Sequence, residues 1–440
     1  MTRSRTTTVA LAAALAGTLA LAAGAQAVTY PPPAKPETIA KPKGPFATHT
    51  VCKKGCDFTK IQKAVNASKA GDTIKVAKGT YPEAVQIKGA SKRYLKIIGD
   101  PKKPENVLLD GSKFKGAGSG ITINGAAEVT IDGLAARGYP SNGFFVVNTT
   151  GYTLNHLSAK DVGVYGVYAF NSVGGTMSNS VAAWNNDSGF YIGETPPQAK
   201  PRRSIVKNVV SYGNVLGFSG TNMRYVTITK SKWFNNGLGI VPNALDSEKY
   251  APPEDNVITD NDIFFNNWDY FQGAPFKLRS GATGEIAYPV GTGILLFGGR
   301  RATVTKNRIF GNYLIGVGAI QQLLLKQQDA KDLVGNAVRD NVFGNGGKNT
   351  NGRDIFYDGT GTDNCFGPNT GVQVTVPANG SVFNACPFKG ANTFDAAAQG
   401  EAVNWTVTDP THEAFWVKNP QAPVAGVTPF ERWTKAIGTK

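Results

Sequence analysis

The chain repeats a glycine followed by a short β-forming run at an interval of 23 residues. The following segments read GITIN, GFFVVN, GVYAFN and GFYIGE at four successive positions, Gly120, Gly143, Gly166 and Gly189. After a longer step the pattern resumes at Gly217, Gly239, Gly293 and Gly316. Self-similarity at a short fixed period is typical of stacked supersecondary units, so the period constrains the fold more than any single residue does.

A second repeat in the same register ends in a polar position. Its eight members are Gly133, His156, Asn179, Asn208, Ser231, Asn261, Asn307 and Asn341. Asparagine tolerates left-handed backbone geometry and its amide can hydrogen-bond the next unit, so the column predicts one turn repeated coil after coil. A further set of asparagines is expected to close each unit at a corner: Asn185, Asn214, Asn236, Asn267, Asn312 and Asn345.

The length of the period excludes several repeat folds. A βαβ unit needs about 30 residues and a propeller blade about 40. The L-x-x-L-x-L frame of leucine-rich repeats is absent from the sequence. Short parallel strands that wind a β-helix remain, with neighbouring coils about 4.8 Å apart.

One amphipathic helix is expected ahead of the coils. Thr59 and Gln62 fit a capping box, and Ile61, Ala64 and Val65 share a face. The run FTKIQKAVNASKAGDTIKVAKGTYPEAVQI, with the later VLLDG, resembles the N-terminal part of right-handed parallel β-helix proteins of the pectate-lyase-like superfamily. The resemblance covers about residues 51 to 360 and implies the fold but no specific activity, because lyases, esterases and epimerases share this segment. We therefore predict an all-β solenoid, a single right-handed parallel β-helix with an N-terminal capping helix that covers its open edge.

The ends of the chain predict export. Arg3 and Arg5 precede an apolar run, and Ala25-Gln26-Ala27 fits a cleavage site, which is the pattern of a secretory signal peptide. We expect a secreted monomer without a membrane span. The predicted segments are a signal peptide (1–27), a Pro/Lys-rich leader that stays extended and solvated (28–50), a cap with the first strands (51–119), the coils (120–365) with insertions at about 194–203, 244–255 and 268–292, and a tail packing on the last coils (366–440).

Four cysteines in an exported chain predict disulfides. Three pairings are possible. The local one, Cys52 with Cys56 and Cys365 with Cys386, is the simplest, and the second bridge would attach the tail to the last coil.

The net charge of +15 favours polyanionic partners. Outside the cell these are more often uronate polysaccharides or wall polymers than nucleic acid, and no nucleic-acid module is recognisable. The alternative is that the lysines and arginines only solvate a long rod.

Stacking of the coils predicts a sugar-binding face. The second position after the repeat glycine places Tyr168 and Tyr191 in one column, and the fifth places Asn171, Glu194 and Asn222 in another. Exposed aromatic rings beside amides and a carboxylate suit a polysaccharide, with Asn243 continuing the polar end of the face. A solvent-side aromatic ladder that only stabilises neighbouring coils is the alternative.

The insertions supply charged residues to the same coils, since insertions in a solenoid collect on one face. We take Glu194, Asp246, Arg202 and Arg279 as candidate catalytic residues. Such carboxylates could work as an acid/base pair or bind Ca²⁺, although no set of metal ligands can be assigned.

Two function classes follow. The first is a lyase or C5-epimerase-like enzyme acting on an acidic polysaccharide; the second is a non-catalytic exported β-helix that binds glycans or a cell surface. The chain lacks polygalacturonase-like Asp pairs with Gly-His-Gly and the Gly-Tyr-Gln-Asp segment of pectin methylesterases. An epimerase-like Asp-Pro-His is only approximated by Asp409-Pro410-Thr411-His412.

Overall fold

The computed structural model describes residues 31–407 except 36, 117, 269–287, 324, 326–330, 348 and 350. The predicted signal peptide, Arg279 and the tail beyond 407 lie outside these residues. Within them the chain forms a right-handed parallel β-helix, as predicted. Each coil passes through three parallel sheets in the order A, B, C.

Sheet A has twelve strands among the described residues. They are Thr48–Val51, Thr73–Val76, Lys96–Ile98, Val129–Asp132, Thr150–Asn155, Val173–Ser178, Ser204–Lys207, Val226–Thr229, Val257–Thr259, Thr303–Thr305, Ala337–Arg339 and Cys365–Phe366.

Sheet B has ten strands in the same part of the chain. They are Gly79–Tyr81, Val107–Asp110, Ala135–Arg137, Ser158–Lys160, Val181–Ala183, Val210–Tyr212, Lys232–Phe234, Asp262–Phe264, Arg308–Phe310 and Val342–Phe343.

Sheet C has eleven described strands. They are Val85–Lys88, Ile121–Asn124, Phe144–Val147, Val167–Phe170, Ser188–Gly193, Leu216–Thr221, Leu238–Asn243, Thr292–Phe297, Ile315–Ile320, Ile355–Tyr357 and Thr375–Val376. A small extra sheet pairs Gly299–Arg300 with Leu333–Val334.

The repeat arises because inward side chains of successive coils stack on one another. Inward residues of the three sheets form one continuous apolar core that runs from Val51 to Phe366. The strand register aligns the second-position column as predicted: Thr122, Phe145, Tyr168, Tyr191, Ser219 and Val241 are successive partners in sheet C.

The helix α1, Ile61–Ala67, lies where the sequence predicts it and buries Ile61, Ala64 and Val65. It packs against the strands Thr48–Val51, Thr73–Val76 and Val85–Lys88. The predicted capping box is wrong, because the N-cap residue is Lys60, without a side-chain cap. The carboxylate of Glu83 instead accepts the N–H groups of Ile61 (2.9 Å) and Gln62 (3.0 Å).

A longer helix, α2, spans Ala396–Val407 near the C-terminal end. Three short 3₁₀ helices, Ala90–Lys92, Pro104–Asn106 and Gly111–Lys113, lie in the first coils. No helix within the described ranges is long and apolar enough to cross a membrane.

The asparagine column at the turn between sheets A and B is real but divides into two adjacent columns. His156, Asn179 and Asn208 adopt left-handed φ angles of 46°, 49° and 54°. Beyond Asn208 the coil is one residue shorter, as the pairing of Val206 with Ile228 shows. The left-handed position therefore falls on Lys230, Asp260, Lys306 and Asp340.

The other three asparagines of the column therefore lie one position after the left-handed residue and are buried: Asn261, Asn307 and Asn341. Their side chains form a ladder, in which Asn261 Nδ2 donates to Asn307 Oδ1 (2.9 Å) and Asn307 Nδ2 to Asn341 Oδ1 (3.0 Å). The five predicted asparagines share one turn, yet Asn179 and Asn208 face solvent whereas these three point inward.

A second buried ladder follows the corner between sheets B and C. Asn185, Asn214, Asn236 and Asn312 belong to it, as expected. In the coils of Asn267 and Asn345 a different asparagine forms the rung, Asn266 and Asn351, while Asn267 lies at the same corner and donates to Gly311 O (2.7 Å).

Both disulfides have the predicted local pairing, Cys52–Cys56 and Cys365–Cys386, and no cysteine is free. Cys365 begins the last strand of sheet A. The second bridge therefore attaches the following segment to that coil.

Candidate functional site

The outer face of sheet C carries a cluster of aromatic rings in its earlier coils. Phe145 and Tyr168 stack with ring centroids 4.6 Å apart, and Tyr165 lies 4.5 Å from Tyr168. Phe170 is 5.9 Å from Tyr168. All four are half-buried: Phe145, Tyr168 and Phe170 project from the outer face of the sheet, and Tyr165 precedes the strand Val167–Phe170. We call these four residues the aromatic shelf.

Tyr191 belongs to the same cluster but is not the exposed ring that the sequence predicts. Only 5% of it is accessible, since Tyr165 and Tyr168 approach it at 4.7 and 4.8 Å. Burial raises its pKa well above the ordinary tyrosine value, and the nearby Tyr165 and Glu248 act in the same direction. The phenol is therefore neutral, and it hydrogen-bonds Thr221.

Sequence reasoning missed Tyr165 as a member of this cluster. It precedes the repeat glycine Gly166 and so lies outside the strand columns that the period defines. A tyrosine immediately before a repeat glycine was the signal available.

The predicted polar column lies at the corner between sheets C and A. Asn148, Asn171, Glu194 and Asn222 all have left-handed φ angles, of 53°, 47°, 48° and 49°. Asn171 Nδ2 donates to Asn148 Oδ1 at 2.7 Å, so the first two amides form a ladder. Asn148 is exposed and Asn171 is half-buried, which places both amides at the edge of the aromatic shelf.

Glu194 forms a carboxyl pair with Glu248, a residue of the insertion that follows Asn243. Glu194 is 5% exposed, and its Oε1 accepts the N–H group of Lys249 at 2.9 Å. Asn222 Nδ2 donates to Glu248 Oε2 at 2.9 Å. The sequence placed Glu194 and Asn222 in one column. Glu248 belongs to an insertion expected near the same coils but was not among the candidate catalytic residues.

One proton stabilises this pair at neutral pH. Burial, followed by the hydrogen bond to Glu194 and its negative charge, raises the pKa of Glu248 to about 8. Glu194 Oε2 is buried and receives no N–H or O–H donor from the described residues. A proton on Glu248 supplies that donor, and two carboxylates in contact would otherwise repel each other.

The insertion loop 244–255 is tied across this corner. Asn222 Nδ2 donates to Leu245 O (2.7 Å) and its Oδ1 accepts from Leu245 N (3.0 Å). Asp246 lies half-buried in the loop. Asn243 is 6% exposed and its Oδ1 accepts from Gln322 Nε2 at 2.5 Å, so it is a structural contact of the following coils.

Arg202, a candidate catalytic residue from the sequence, pairs with Glu128 rather than with Glu194 or Glu248. It lies before a strand of sheet A, and its Nη1 is 2.6 Å from Glu128 Oε1. Arg279 lies outside the described residues, so its role stays a prediction.

Arg224 is the arginine beside the pair. It is 3% exposed, donates to Thr195 O (3.2 Å) and to Tyr250 O, and its Nε is 3.5 Å from Glu254 Oε2. Burial lowers its pKa, while Glu254 and, less strongly, Glu194 oppose that shift. Its place two residues after Asn222 was the available sequence signal.

No group of three or more His, Cys, Asp or Glu side chains is arranged to hold a metal ion in the parts of the chain that the structure describes. The Ca²⁺ site considered from the sequence therefore has no cluster of ligands there.

Comparison with known proteins identifies the same fold. A family model described as NosD, periplasmic copper-binding protein, matches residues 65–274. No curated protein matches the sequence.

Three solved structures illustrate the likeness. The A-module of mannuronan C-5 epimerase AlgE6 from Azotobacter vinelandii is 17% identical, with a TM-score of 0.50, and the alignment covers 72% of this chain and 90% of that one. The AlgE4 A-module of the same organism is 16% identical over 72% and 90%, with a TM-score of 0.47. An alginate lyase from Paenibacillus sp. str. FPU-7 is 16% identical over 67% and 94%, with a TM-score of 0.45. At such identities these similarities concern the fold alone.

The described residues do not fit the copper that the family description names. Copper sites draw on imidazole, thiolate and thioether donors. All four cysteines are in disulfides, and Met177 and Met223 are in the apolar core. His49 lies 3.8 Å from Asp72, whereas His156 is in a different coil, 2.8 Å from Asp132.

Proposed function

We propose that the protein is an exported β-helix protein that acts on or binds an acidic polysaccharide through the outer face of sheet C. The observation that carries the proposal is the aromatic shelf, bordered by the amides of Asn148 and Asn171. The two disulfides and the periplasmic family that matches residues 65–274 are consistent with export.

The chemistry of the shelf suits sugars. The faces of a pyranose ring are apolar enough to stack on an aromatic ring, while its hydroxyls need polar partners at the edge. Stacked Phe145 and Tyr168 offer the first and the corner amides the second. The net charge of +15 favours a polymer of uronates over a neutral one. Solved β-helix structures of similar fold include mannuronan epimerases, an alginate lyase and a pectate lyase.

Replacing the most central ring tests the binding surface. We expect Tyr168→Ala to weaken binding of size-defined alginate or pectate by roughly 1–3 kcal/mol, by analogy with the loss of one stacking platform. Phe394→Ala is the matched control, because Phe394 is an aromatic ring that is 53% exposed and lies outside the shelf, near the C-terminal end. Titration calorimetry at low ionic strength measures both. Wild type that binds neither polymer, or a Tyr168→Ala variant that binds like wild type, would reject the proposal.

The carboxyl pair favours a second candidate, in which the same polymer is also a substrate for β-elimination or C5 epimerisation. Both reactions begin when a base removes the proton at C5, and neutralisation of the uronate by a cation stabilises the resulting anion. Glu194 would accept the C5 proton, and Arg224 is the neighbouring cation. In elimination the C4–O bond then breaks and the leaving oxygen takes a proton from Glu248; in epimerisation Glu194 keeps the proton that it removed and water supplies a proton to the opposite face of C5. Because Glu194 is 5% exposed, loop 244–255 must lift to admit the sugar.

Glu194→Gln separates the two candidates. An enzyme of this kind loses turnover and keeps binding, whereas a binding protein has no turnover to lose. Ultraviolet absorbance detects unsaturated uronate, and product NMR detects epimerisation. Glu105→Gln is the control, since this exposed carboxylate lies beside Lys160 on the sheet B side. If the Glu194→Gln variant retains turnover, the catalytic candidate is rejected and the proposal of polysaccharide binding is unaffected.

A further inference from the structure

The described part of the Pro/Lys-rich leader, 31–35 and 37–46, follows the corner between sheets C and A. Most of it is exposed, as expected from the sequence, but it does not extend freely into solvent. Ala40 O accepts from Arg93 Nε (3.0 Å) and Ile39 O from Tyr94 Oη (3.2 Å). Thr150 Oγ1 donates to the carboxylate of Glu37.

The leader reaches the insertion that follows Glu194. Ala34 N donates to Pro197 O at 2.9 Å, and Ala199 N donates to Ala34 O at 2.9 Å. These bonds form a parallel bridge between Ala34 and Gln198. A segment of the leader is therefore added, strand-like, to the backbone of the insertion.

The path has the length that the coil spacing requires. The leader contacts residues that lie just before, or at the start of, strands of sheet A: Arg93, Thr150 and Ala199. From the first of these strands, Lys96–Ile98, to the last, Ser204–Lys207, the sheet advances by four strand-to-strand steps. Four steps at the usual strand spacing are about 19 Å. The six residue-to-residue steps from Ala34 to Ala40 span at most about 20 Å when extended. An extended leader therefore crosses these coils along the axis of the rod.

Two further features indicate a built contact. The hydroxyl of Tyr94 is the group that holds Ile39, and it reaches the leader from a corner position whose left-handed φ recurs at Glu128 and Tyr225. The leader is rich in proline, which favours an extended chain before binding and so lowers the entropy that docking costs. Ala34, unlike its prolyl neighbours Pro32 and Pro33, has the N–H group that the bridge requires.

We propose that this corner is a docking site for an extended proline-rich segment, that the chain's own leader occupies it, and that the leader braces the insertion 195–203. Bracing holds the backbone next to Glu194 and limits access of proteases to the bonds that follow Arg202 and Arg203. The inference concerns the leader and does not depend on the proposed sugar binding.

Ala34→Pro in the full chain tests the brace, because it removes the N–H group that Pro197 accepts. We expect hydrogen exchange at the Ala199 amide, and tryptic cleavage after Arg202 or Arg203, to rise at least about fivefold, the factor that corresponds to about 1 kcal/mol for one hydrogen bond. Lys43→Pro is the matched control, since Lys43 is an exposed leader residue beyond these contacts. Continued protection of the strand Ile315–Ile320 shows that the rod has kept its fold.

Two outcomes would overturn the inference. Exchange and cleavage that match wild type in Ala34→Pro would show that the leader does not brace the insertion. Protection in wild type that falls on dilution would show that the leader of a second copy, rather than the chain's own, occupies the corner.

Discussion

The outer face of sheet C differs between its earlier and later coils. In Phe144–Val147 and Val167–Phe170 buried and half-buried residues alternate, so only the inner face is covered. In Leu238–Asn243, Thr292–Phe297 and Ile315–Ile320 every residue is buried. One strand period thus supports two kinds of surface.

The residue types at the outward positions explain the difference. Earlier coils project aromatic rings there, whereas later coils project Val241, Leu295 and Phe356. These pack with Ala398 and Ala402 of α2. These three outward positions of the later coils, aliphatic except at Phe356, lack hydroxyl groups and require a cover, whereas half-buried tyrosines stacked on one another leave a surface on which a ligand can bind.

The carboxyl pair lies at the border between the two surfaces. The outward column changes there from Tyr191 to Ser219, and loop 244–255 folds back over Glu194 and Asn222. Loss of the aromatic ring leaves room at this coil for a polar loop contact instead of stacking.

The largest expected effect is on the covered surface. Phe356 is fully buried, so Phe356→Ala removes a buried ring and leaves a cavity, and we expect a loss of about 3–5 kcal/mol in the free energy of unfolding. Phe145→Ala, the matched change on the half-buried shelf, should cost less than half as much. Urea unfolding measures both. Equal losses would contradict the division into covered and open surfaces.

A change at the border should alter the pH dependence of stability. The folded pKa of Glu248, about 8, exceeds its ordinary value of 4.5, so the folded state binds the extra proton between these values. Stability therefore falls as the pH rises from about 4.5 to 8, by up to a few kcal/mol at about 1.4 kcal/mol for each unit of pKa shift. Glu248→Gln keeps a donor for Glu194 and should flatten this slope.

Urea midpoints across this pH range test the prediction. Glu105→Gln again serves as the control, since it removes an exposed carboxylate far from the pair. A wild-type midpoint that stays level from pH 4.5 to 8, or a slope that Glu248→Gln retains, would show that the pair does not share a proton.

The smallest expected effect concerns the exposed charge beside the open surface. The Arg202 side chain is 44% exposed and pairs with Glu128, so Arg202→Ala should change the free energy of unfolding by no more than about 1 kcal/mol, and less at high salt. Arg224→Ala provides the contrast, because it removes the buried guanidinium beside Glu254 and leaves that carboxylate only the more exposed Arg300 and Arg301. A larger loss in the free energy of unfolding for Arg202→Ala than for Arg224→Ala would contradict the assignment of Arg224 as the buried arginine beside the carboxyl pair.

Much of the fold followed from counting residues along the chain. The alignment of Tyr168 with Tyr191, the corner position of Glu194 and Asn222, and both disulfides were predicted correctly. Counting failed where a coil changes length. The turn column shifts by one residue after Asn208, because the prediction followed the asparagines along the sequence and not the pairing register of the strands.

The candidate site was predictable only in part. The site residues in the strands of sheet C recur with the period of the coils. Glu248 instead lies in an insertion loop, Arg224 lies at a corner and Tyr165 lies just before a repeat glycine. The period says nothing about where an insertion folds back, so Arg202 was taken as a catalytic candidate, whereas Arg224 is the arginine that lies beside the pair.

The sequence by itself determined the β-helix, the register of its sheets and the turns that connect them, because each coil repeats local preferences that contact the next coil in a fixed order. Only the tertiary structure decided which outer surfaces are covered, which glutamate pairs with Glu194 and where the leader lies. Those contacts join segments of no common period, and they depend on burial and hydrogen bonding that form only when the rod is complete.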